Sequence, residues 1–313
     1  MPREVAHATS SLIVAAAVLA GCSRGGDPGV DGVPYDLRLG SWNIEKLGQE
    51  TDTDYSIIAA VVEENFDVLG VAEVMVADGG HPGYDRMISD LGPGWDGFVT
   101  ARPRPDALES WAEYYAVLWR RSVVRPCEGW SGMIYHPDNP GGPAGTGTNY
   151  FSREPAFVCL EAGFDMDGEE GTVGFDLVLA VYHALYASGD TAVTMAEVDH
   201  LDEVLASMGA AAPGEGDLVI VGDFNLEKAD IEALVAATVI TEGTGSTLND
   251  SGNLSSNLID NVLIRDPSTT SECMGPATVL DVRSLASSKL AFLETVSNHL
   301  PIVAPFRVHE DDD

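Results

Sequence analysis

An α/β fold in one compact domain is what this sequence predicts, and three observations carry the reading. Short apolar runs bounded by turn residues alternate with longer stretches of helical periodicity. Past the N-terminal region the alternation continues without an obvious repeat, second linker or transmembrane segment. With 313 residues, 45% of them hydrophobic, the chain has the length and apolar content for a sizeable core.

Residues 1–21 read as a targeting signal. Arg3 is followed by the apolar run Leu12 to Leu19, too short to span a bilayer permanently, and then by Leu19-Ala20-Gly21-Cys22. Leu-Ala-Gly-Cys resembles the lipobox of bacterial lipoproteins, whose cysteine becomes the lipidated N-terminus of the mature protein. The expectation is an exported protein, held at the outer membrane or cell surface of a bacterium by a lipid on Cys22. Residues 22–36, rich in Gly, Asp and Pro, read as a flexible tether. Residues 37–308 form the expected folded domain, and 309–313 an acidic, solvated tail.

Within the domain, strands are expected at Leu37 to Asn43, Asp67 to Glu73, Tyr114 to Trp119, Phe175 to His183, Asp217 to Gly222, Leu258 to Ile264 and Ile302 to Val308. Each is rich in aliphatic or aromatic residues that suit a pleated, buried surface. Helices are expected at Asp54 to Asn65 with Thr53 as N-cap, at Thr191 to Met208 and at Lys228 to Ala237. Pro137 to Thr148, with its Asn-Pro-Gly-Gly-Pro core, reads as a loop.

Fifty acidic residues against sixteen basic ones leave a formal charge of -34. Such a surface repels polyanions and argues against indiscriminate nucleic-acid binding; any such contact needs a local patch, which a metal ion and a few arginines can supply. In an exported protein disulfides persist, so Cys127 and Cys159 are a candidate pair and Cys273 a leftover.

The polar residues at strand ends carry the chemistry. Asp223 and Asn225 follow the apolar run Leu218-Val219-Ile220, and on an extended strand residues two apart share a face. The pair can address one small target such as a phosphorus centre, although Gly-Asp-x-Asn is also an ordinary strand-ending turn. Glu73 closes an apolar run at Val71-Ala72-Glu73, where a carboxylate must be exposed, paired or holding a cation. A hard oxygen ligand of that kind suits Mg²⁺ or Mn²⁺. Asn43 ends the first expected strand, His183 the fourth, and His299 precedes the last. Asp260 lies between apolar neighbours and needs a partner; a histidine paired with such an acid is fixed in one tautomer and equipped for proton transfer. The absence of close His-x-x-x-His or Cys-x-x-Cys spacing makes zinc the poorer fit.

Taken in order, Asn43, Glu73, His183, Asp223, Asn225, Asp260 and Asn298-His299 resemble the site of the endonuclease/exonuclease/phosphatase superfamily, over nearly the whole stretch from Leu37 to Val308. Two segments are similar to its deoxyribonuclease I-like branch in particular. Trp111 to Arg120 is similar to the segment whose glutamate orients the first catalytic histidine, which would set Glu113 beside His183. Phe151-Ser152-Arg153-Glu154-Pro155-Ala156 is similar to a string whose arginine reaches a DNA phosphate, against the plainer reading of Arg153 as the partner of a nearby acid.

The resemblance implies a four-layered α/β/β/α sandwich, two packed mixed sheets flanked by helices. It implies metal-assisted phosphodiester hydrolysis with Mg²⁺ or Mn²⁺ held by Glu73, Asn43 and Asn298, Ca²⁺ being a further candidate cofactor. His183 and His299, oriented by Glu113 and Asp260, would serve as acid/base groups, Asp223 and Asn225 would position water, and Arg153, Asn43 and Trp111 would contact substrate. The expected activity is a lipid-anchored endonuclease that cleaves DNA to 5′-phosphate products. The alternatives are a phosphodiesterase on phospholipid or sugar phosphate, and a non-catalytic binding module weakened at Asn298. Two departures stand out: the family's Ser-Asp-His is here Ser297-Asn298-His299, which removes a negative charge, and the position of Trp111 is usually tyrosine. The tight cysteine pair of secreted relatives has no counterpart, so no disulfide is inferred from the resemblance.

Overall fold

Two mixed seven-stranded sheets pack face to face in the computed structural model, which describes residues 35–49, 52–77, 79–101, 113–137, 150–163, 175–186, 190–265 and 268–308. Cys22, Trp111, the signal segment, the tether as far as Pro34, the loop residues 138–149 and the acidic tail lie outside the described residues. Among the described residues no helix is long and apolar enough to cross a membrane.

The first sheet begins with β1 (Tyr35–Leu47), β2 (Val68–Met75), β3 (Trp95–Val99) and β4 (Glu113–Arg120). It is completed by β11 (Thr241–Glu242), β13 (Ala277–Val279) and β14 (Ile302–Val308), in the order β11-β13-β14-β1-β2-β4-β3. The second contains β5 (Val124–Pro126), β7 (Ala156–Ala162), β8 (Phe175–His183), β9 (Leu218–Asp223), β10 (Thr238–Val239) and β12 (Asp260–Ile264) in the order β10-β12-β9-β8-β7-β5, with β6 (Ile134–Tyr135) pairing β7.

The central parallel pairs are β1 with β2 in the first sheet and β8 with β9 in the second, each joined by a helical crossover, while the short β11 and β13 form a further parallel pair in the first sheet. The first crossover is α1 (Tyr55–Asn65); the second is α3 (Thr191–Val198) followed by α4 (Leu201–Ala211). Parallel pairing demands such a crossover, and the helix must then cover the sheet's outer face. So Ile58, Val61 and Val62 of α1 pack on Leu69 and Val71, together with Met87 of α2 (Pro82–Leu91) and Phe292 of α6 (Lys289–Thr295). Val204, Leu205 and Met208 of α4 pack on Val178, Ala180, Leu218 and Ile220 across the other sheet. Between the sheets lies a third apolar layer that includes Leu37, Leu39, Val117, Leu160, Leu179, Val219, Val262 and Phe306. Burying each such side chain is worth about 1.5–3 kcal/mol. The expected α/β/β/α sandwich is therefore the observed one.

Gly70 lets the two sheets pack closely, since a Cβ there would lie 2.8 Å from a Val221 methyl and 2.9 Å from a Val181 methyl. At one end of the sandwich, buried Asp67 is forked by Arg38 at 2.8 Å and approached by Arg120 at 3.4 Å, which ties the start of β2 to its neighbours. The catalytic candidates lie toward the other end of the strands.

The elements differ from expectation in several places. β1 starts at Tyr35, two residues inside the expected tether, and runs past Asn43 to Leu47. The cap of α1 is Asp54 and not Thr53: the Asp54 carboxylate accepts from the backbone N–H groups of Ser56 and Ile57. The expected helix from Thr191 to Met208 is two helices broken at Asp199 and His200. The expected helix from Lys228 to Ala237 closes after α5 (Lys228–Glu232), where Leu234 and Val235 turn back onto Ile231 and lead into β10. The sequence reading omitted β3, β7, α2 and α6 and the short strands β5, β6, β10, β11 and β13. Cys127 and Cys159 form the disulfide expected of them, pinning the chain after β5 to the middle of β7, and Cys273 is free.

Candidate active site

Backbone register alone brings three of the polar residues into one row. Asp223 lies opposite His183 across the parallel β8–β9 pair and opposite Asp260 across the antiparallel β9–β12 pair. Gly222 makes that row possible: its φ is +146°, and a Cβ there would sit 1.8 Å from the Tyr182 carbonyl oxygen. A residue with a side chain could not bring Asp223 so close to β8.

Asp223 Oδ2 is the hub. It lies 3.6 Å from His183 Nε2 and 3.6 Å from His299 Nε2, and it accepts a hydrogen bond from Asn43 Nδ2 at 3.2 Å. Each histidine is fixed on its other side by a carboxylate, His183 Nδ1 to Glu113 Oε2 and His299 Nδ1 to Asp260 Oδ2, both at 2.8 Å. The two pairs arrive by different routes. Glu113 is the first residue of β4, and its other oxygen takes Arg153 Nη2 at 2.7 Å. Asp260 opens β12 and also accepts from Ser246 Oγ at 2.6 Å. His299 is set by Ser297, whose Oγ accepts from the His299 N–H at 2.9 Å and donates to the Asn43 carbonyl at 2.7 Å.

These contacts determine the charges. Burial pushes the His299 imidazolium down, but Asp260, Asp223 and Glu73 outweigh it and lift its pKa to about 10. It is therefore a cation at neutral pH. Burial likewise opposes charge on His183, while the hydrogen bond it donates to Glu113 and the nearby Asp223 outweigh it and raise its pKa, against an opposing push from Arg153. Burial would raise Glu113, yet His183 and Arg153 hold it below the usual carboxylate value. Asp223 is raised, chiefly by burial and also by Asp260, with both histidines pulling the other way.

Glu73 does not close a strand, as the sequence suggested. β2 continues to Met75, and the pairing registers slip between Val71 and Val74. At that irregularity Glu73 adopts φ +58°, which aims its carboxylate at the site. Asn43 Nδ2 reaches Glu73 Oε1 at 3.0 Å, and the Lys46 N–H reaches Oε2 at 3.1 Å. Asn225 departs from the sequence reasoning in the same way. It sits in a turn with φ +49°, not on an extended strand, and its N–H caps Asp223 Oδ1 at 2.9 Å. The turn-forming reading of Gly-Asp-x-Asn is realised, and the same turn fixes the Asp223 carboxylate in place. Lys46, Glu73 and Asn225 are the non-glycine residues with positive φ among the described residues, and all three border this centre.

The donor set suits a hard divalent cation. Asp223, Asp260 and His299 each bring one polar atom within 4.8 Å of the others, all buried, and with His299 protonated the carboxylate oxygens are the ligands of this group. Asn43 presents its amide N–H to two carboxylates, and its Oδ1 is buried without a hydrogen-bond partner. Asn298 Oδ1 and Asp260 Oδ1 are also buried without one. Orphaned oxygens beside half-buried Glu73 are the environment that Mg²⁺ or a similar ion satisfies.

Of the expected residues, Asn43, Glu73, Glu113, His183, Asp223, Asp260 and His299 form this connected centre, with Asn225 and Arg153 bonded to its members. Asn298 adjoins His299, and its carbonyl is held by the Leu248 N–H at 2.7 Å. The Arg153 guanidinium is bonded to Glu113 and, at 3.4 Å, to the Ala184 carbonyl, so the ion-pair reading of this residue is realised with Glu113 as the acid. The sequence reading gave no role to Ser246, Ser297 or Tyr115, whose hydroxyl accepts from the His183 N–H at 3.2 Å. Ser297 could have been found from its place beside His299; nothing local marks the other two.

Residues 40–299 match the Endonuclease/Exonuclease/phosphatase family. The chain is 29% identical over 288 residues to a deoxyribonuclease from Thioalkalivibrio sp. (strain K90mix), covering 87% of this chain and 71% of that protein. Among solved structures, it superposes on an endonuclease/exonuclease/phosphatase family protein from Bacteroides thetaiotaomicron with a TM-score of 0.62 at 17% identity, covering 88% of this chain and 99% of that one. A mannosyl-6-phosphatase from Bacteroides thetaiotaomicron VPI-5482 superposes with a TM-score of 0.57 at 14% identity, covering 86% and 99%. At these identities the two structures speak for the fold alone.

Proposed function

The chain belongs to the endonuclease/exonuclease/phosphatase family, and we propose that it is a metal-dependent endonuclease of the deoxyribonuclease I-like branch, exported and anchored by a lipid on Cys22, that cleaves DNA to 5′-phosphate products. The observation that carries the phosphodiesterase reading is Asp223 Oδ2, set midway between two histidines, each backed by its own carboxylate.

In this reading Asp223, with Asn225 beside it, positions a water and accepts its proton. The water oxygen attacks phosphorus in line with the 3′ oxygen; the bond between phosphorus and that oxygen breaks, and the electron pair leaves with the oxygen. His299, cationic at neutral pH, supplies the proton that makes the leaving group a hydroxyl. His183, held by Glu113, donates its Nε2 hydrogen bond to a phosphate oxygen. Glu73, Asn43 and Asn298 would hold Mg²⁺ or Mn²⁺, which supplies charge neutralisation at a phosphate oxygen.

DNA as the substrate is supported by the Phe151–Ala156 string and by the name of the Thioalkalivibrio relative. Arg153, bonded to Glu113 at the centre and with its side chain 25% exposed, is a cation that can meet a phosphate. The Cys127–Cys159 disulfide supports an oxidising, extracytoplasmic location. Residues 1–21 serve as the signal, 22–34 as the tether and 309–313 as a solvated tail in this proposal.

The test is to incubate purified protein lacking residues 1–22 with plasmid DNA, sphingomyelin and a panel of sugar phosphates, each with Mg²⁺, Mn²⁺ or chelator. Chelator-sensitive nicking of the plasmid is the expected result. Hydrolysis confined to lipid or sugar phosphate would move the substrate to that class, and silence on the whole panel would leave a binding module.

A further inference from the structure

Behind the centre lies a buried acid that the mechanism does not use. Glu197, on α3, is 4% exposed and has no cationic group among its hydrogen-bond partners in the described residues. Its Oε2 accepts from the Ser152 N–H at 3.0 Å, and its Oε1 accepts from the Tyr182 hydroxyl at 2.8 Å and the Leu185 N–H at 3.2 Å. A backbone N–H can only donate, so both oxygens must be acceptors at once.

The three donors have a common meaning. Ser152 immediately precedes Arg153, while Tyr182 and Leu185 bracket His183 and Ala184. The Ala184 carbonyl between them accepts from Arg153 Nη1 at 3.4 Å and from Asn225 Nδ2 at 2.9 Å. A second α3 residue, buried Thr194, donates its hydroxyl to the Leu185 carbonyl at 2.8 Å. The Arg153 segment and the end of the His183 strand are therefore stitched together from the helix behind them. The Tyr182 hydroxyl is a dependable donor there, because burial and Glu197 both raise its pKa well above the ordinary value.

We propose that Glu197 is a positioning residue, whose carboxylate clamps the Ser152–Arg153 backbone to the end of β8 and so presents the Arg153 guanidinium to a substrate phosphate. The inference rests on the phosphodiesterase reading for its kinetic consequence, though the clamp itself does not.

The isosteric variant Glu197→Gln separates the two sides of the clamp. The glutamine amide has one acceptor oxygen, which serves best where Oε1 now takes two donors, so its NH₂ must face the Ser152 N–H, donor against donor. The damage then falls on the Arg153 side while the His183 side keeps its bonds. With Mg²⁺ and a DNA duplex, Glu197→Gln is expected to raise KM about tenfold and change kcat less than about threefold, the signature of lost ground-state binding. A group of purely structural value would behave otherwise: the variant would lose active molecules, lowering apparent kcat and leaving KM unchanged. That outcome, or unchanged kinetics, overturns the proposal.

Amide hydrogen exchange on the wild-type protein gives a second reading that requires neither a folded variant nor activity. The Ser152 amide, on a residue whose side chain is exposed, should exchange at least about a hundredfold more slowly than an unstructured amide. Exchange at the unprotected rate overturns the clamp. A wild type without hydrolytic activity would defeat the nuclease reading and leave the exchange result to decide this one.

Discussion

Asp260→Asn is the most informative single substitution at this centre. His299 rises from the ordinary histidine value of 6.5 to about 10 in the folded protein, a difference worth about 5 kcal/mol at about 1.36 kcal/mol per pK step. The Asp260 carboxylate is 2.8 Å away, where one charge pair at an effective dielectric of about 20 contributes about 6 kcal/mol. Losing it removes as much as the whole elevation, with Asp223 at 3.6 Å and Glu73 left to oppose burial.

In chelator, NMR titration of the His299 ring should show a pKa near 10 in the wild type and one lower by at least about two steps in the variant. The consequence for stability has a definite sign. A pKa raised by folding stabilises fully below the unfolded value and ceases to do so as pH climbs through the folded value. The wild type should therefore lose on the order of 5 kcal/mol from this group between pH 6.5 and 10. Asp260→Asn should lack most of that loss, and its hydrolytic rate at pH 7.5 should fall on the order of 10² to 10⁴. A His299 ring that titrates alike in both proteins would refute the reasoning.

Three further outcomes follow from other parts of the structure. Asn298→Asp restores an acid beside His299, so calorimetric Mg²⁺ affinity should rise about tenfold or more, and Mg²⁺ should raise Tm further than in the wild type; equal affinity would contradict a ligand role for this position. Reducing the Cys127–Cys159 bridge reopens a loop with a sequence separation of 32 and should cost about 2–4 kcal/mol in urea unfolding, whereas stability indifferent to reductant would contradict a bridge that forms in solution. Gly222→Ala sets a Cβ against the Tyr182 carbonyl at a φ of +146° and should cost about 3 kcal/mol or more, or prevent folding; an unchanged unfolding midpoint would show that the strand row can be built another way.

Much of this centre was legible because its residues interrupt apolar runs. His183 and Asp223 end strands whose aliphatic stretches are buried on both faces, and Phe175–His183 was bounded correctly for that reason, as Ile302–Val308 was from its alternation of buried and more exposed residues. What stayed hidden was set by tertiary contacts. The break at Asp199 and His200 leaves the apolar periodicity nearly in phase, so α3 and α4 read as one helix. α6 is seven residues long, stabilised by a Ser288 cap and the burial of Phe292, and a stretch that short carries little periodic signal. The Ala156–Ala162 run follows Pro155 directly and was read for its neighbouring arginine, although its residues pair with β8 throughout. The positive φ of Glu73 and Asn225 could not be seen either. Both residues were placed correctly at the site for a wrong geometric reason, extended alternation, where an irregular strand and a capped turn do the aiming. Arg153 stood out in the sequence through the string around it, but its bond to Glu113 depended on a contact between distant segments of the chain.

The central claim is that distant strand ends meet in one phosphodiesterase centre around Asp223, and plasmid nicking tests it most directly. Wild-type protein should nick supercoiled DNA with Mg²⁺, stop with chelator and resume when Mg²⁺ is restored. Asp223→Asn, equally folded by circular dichroism, should nick at a rate lower by on the order of 10² or more. Nicking by Asp223→Asn at the wild-type rate would contradict the account.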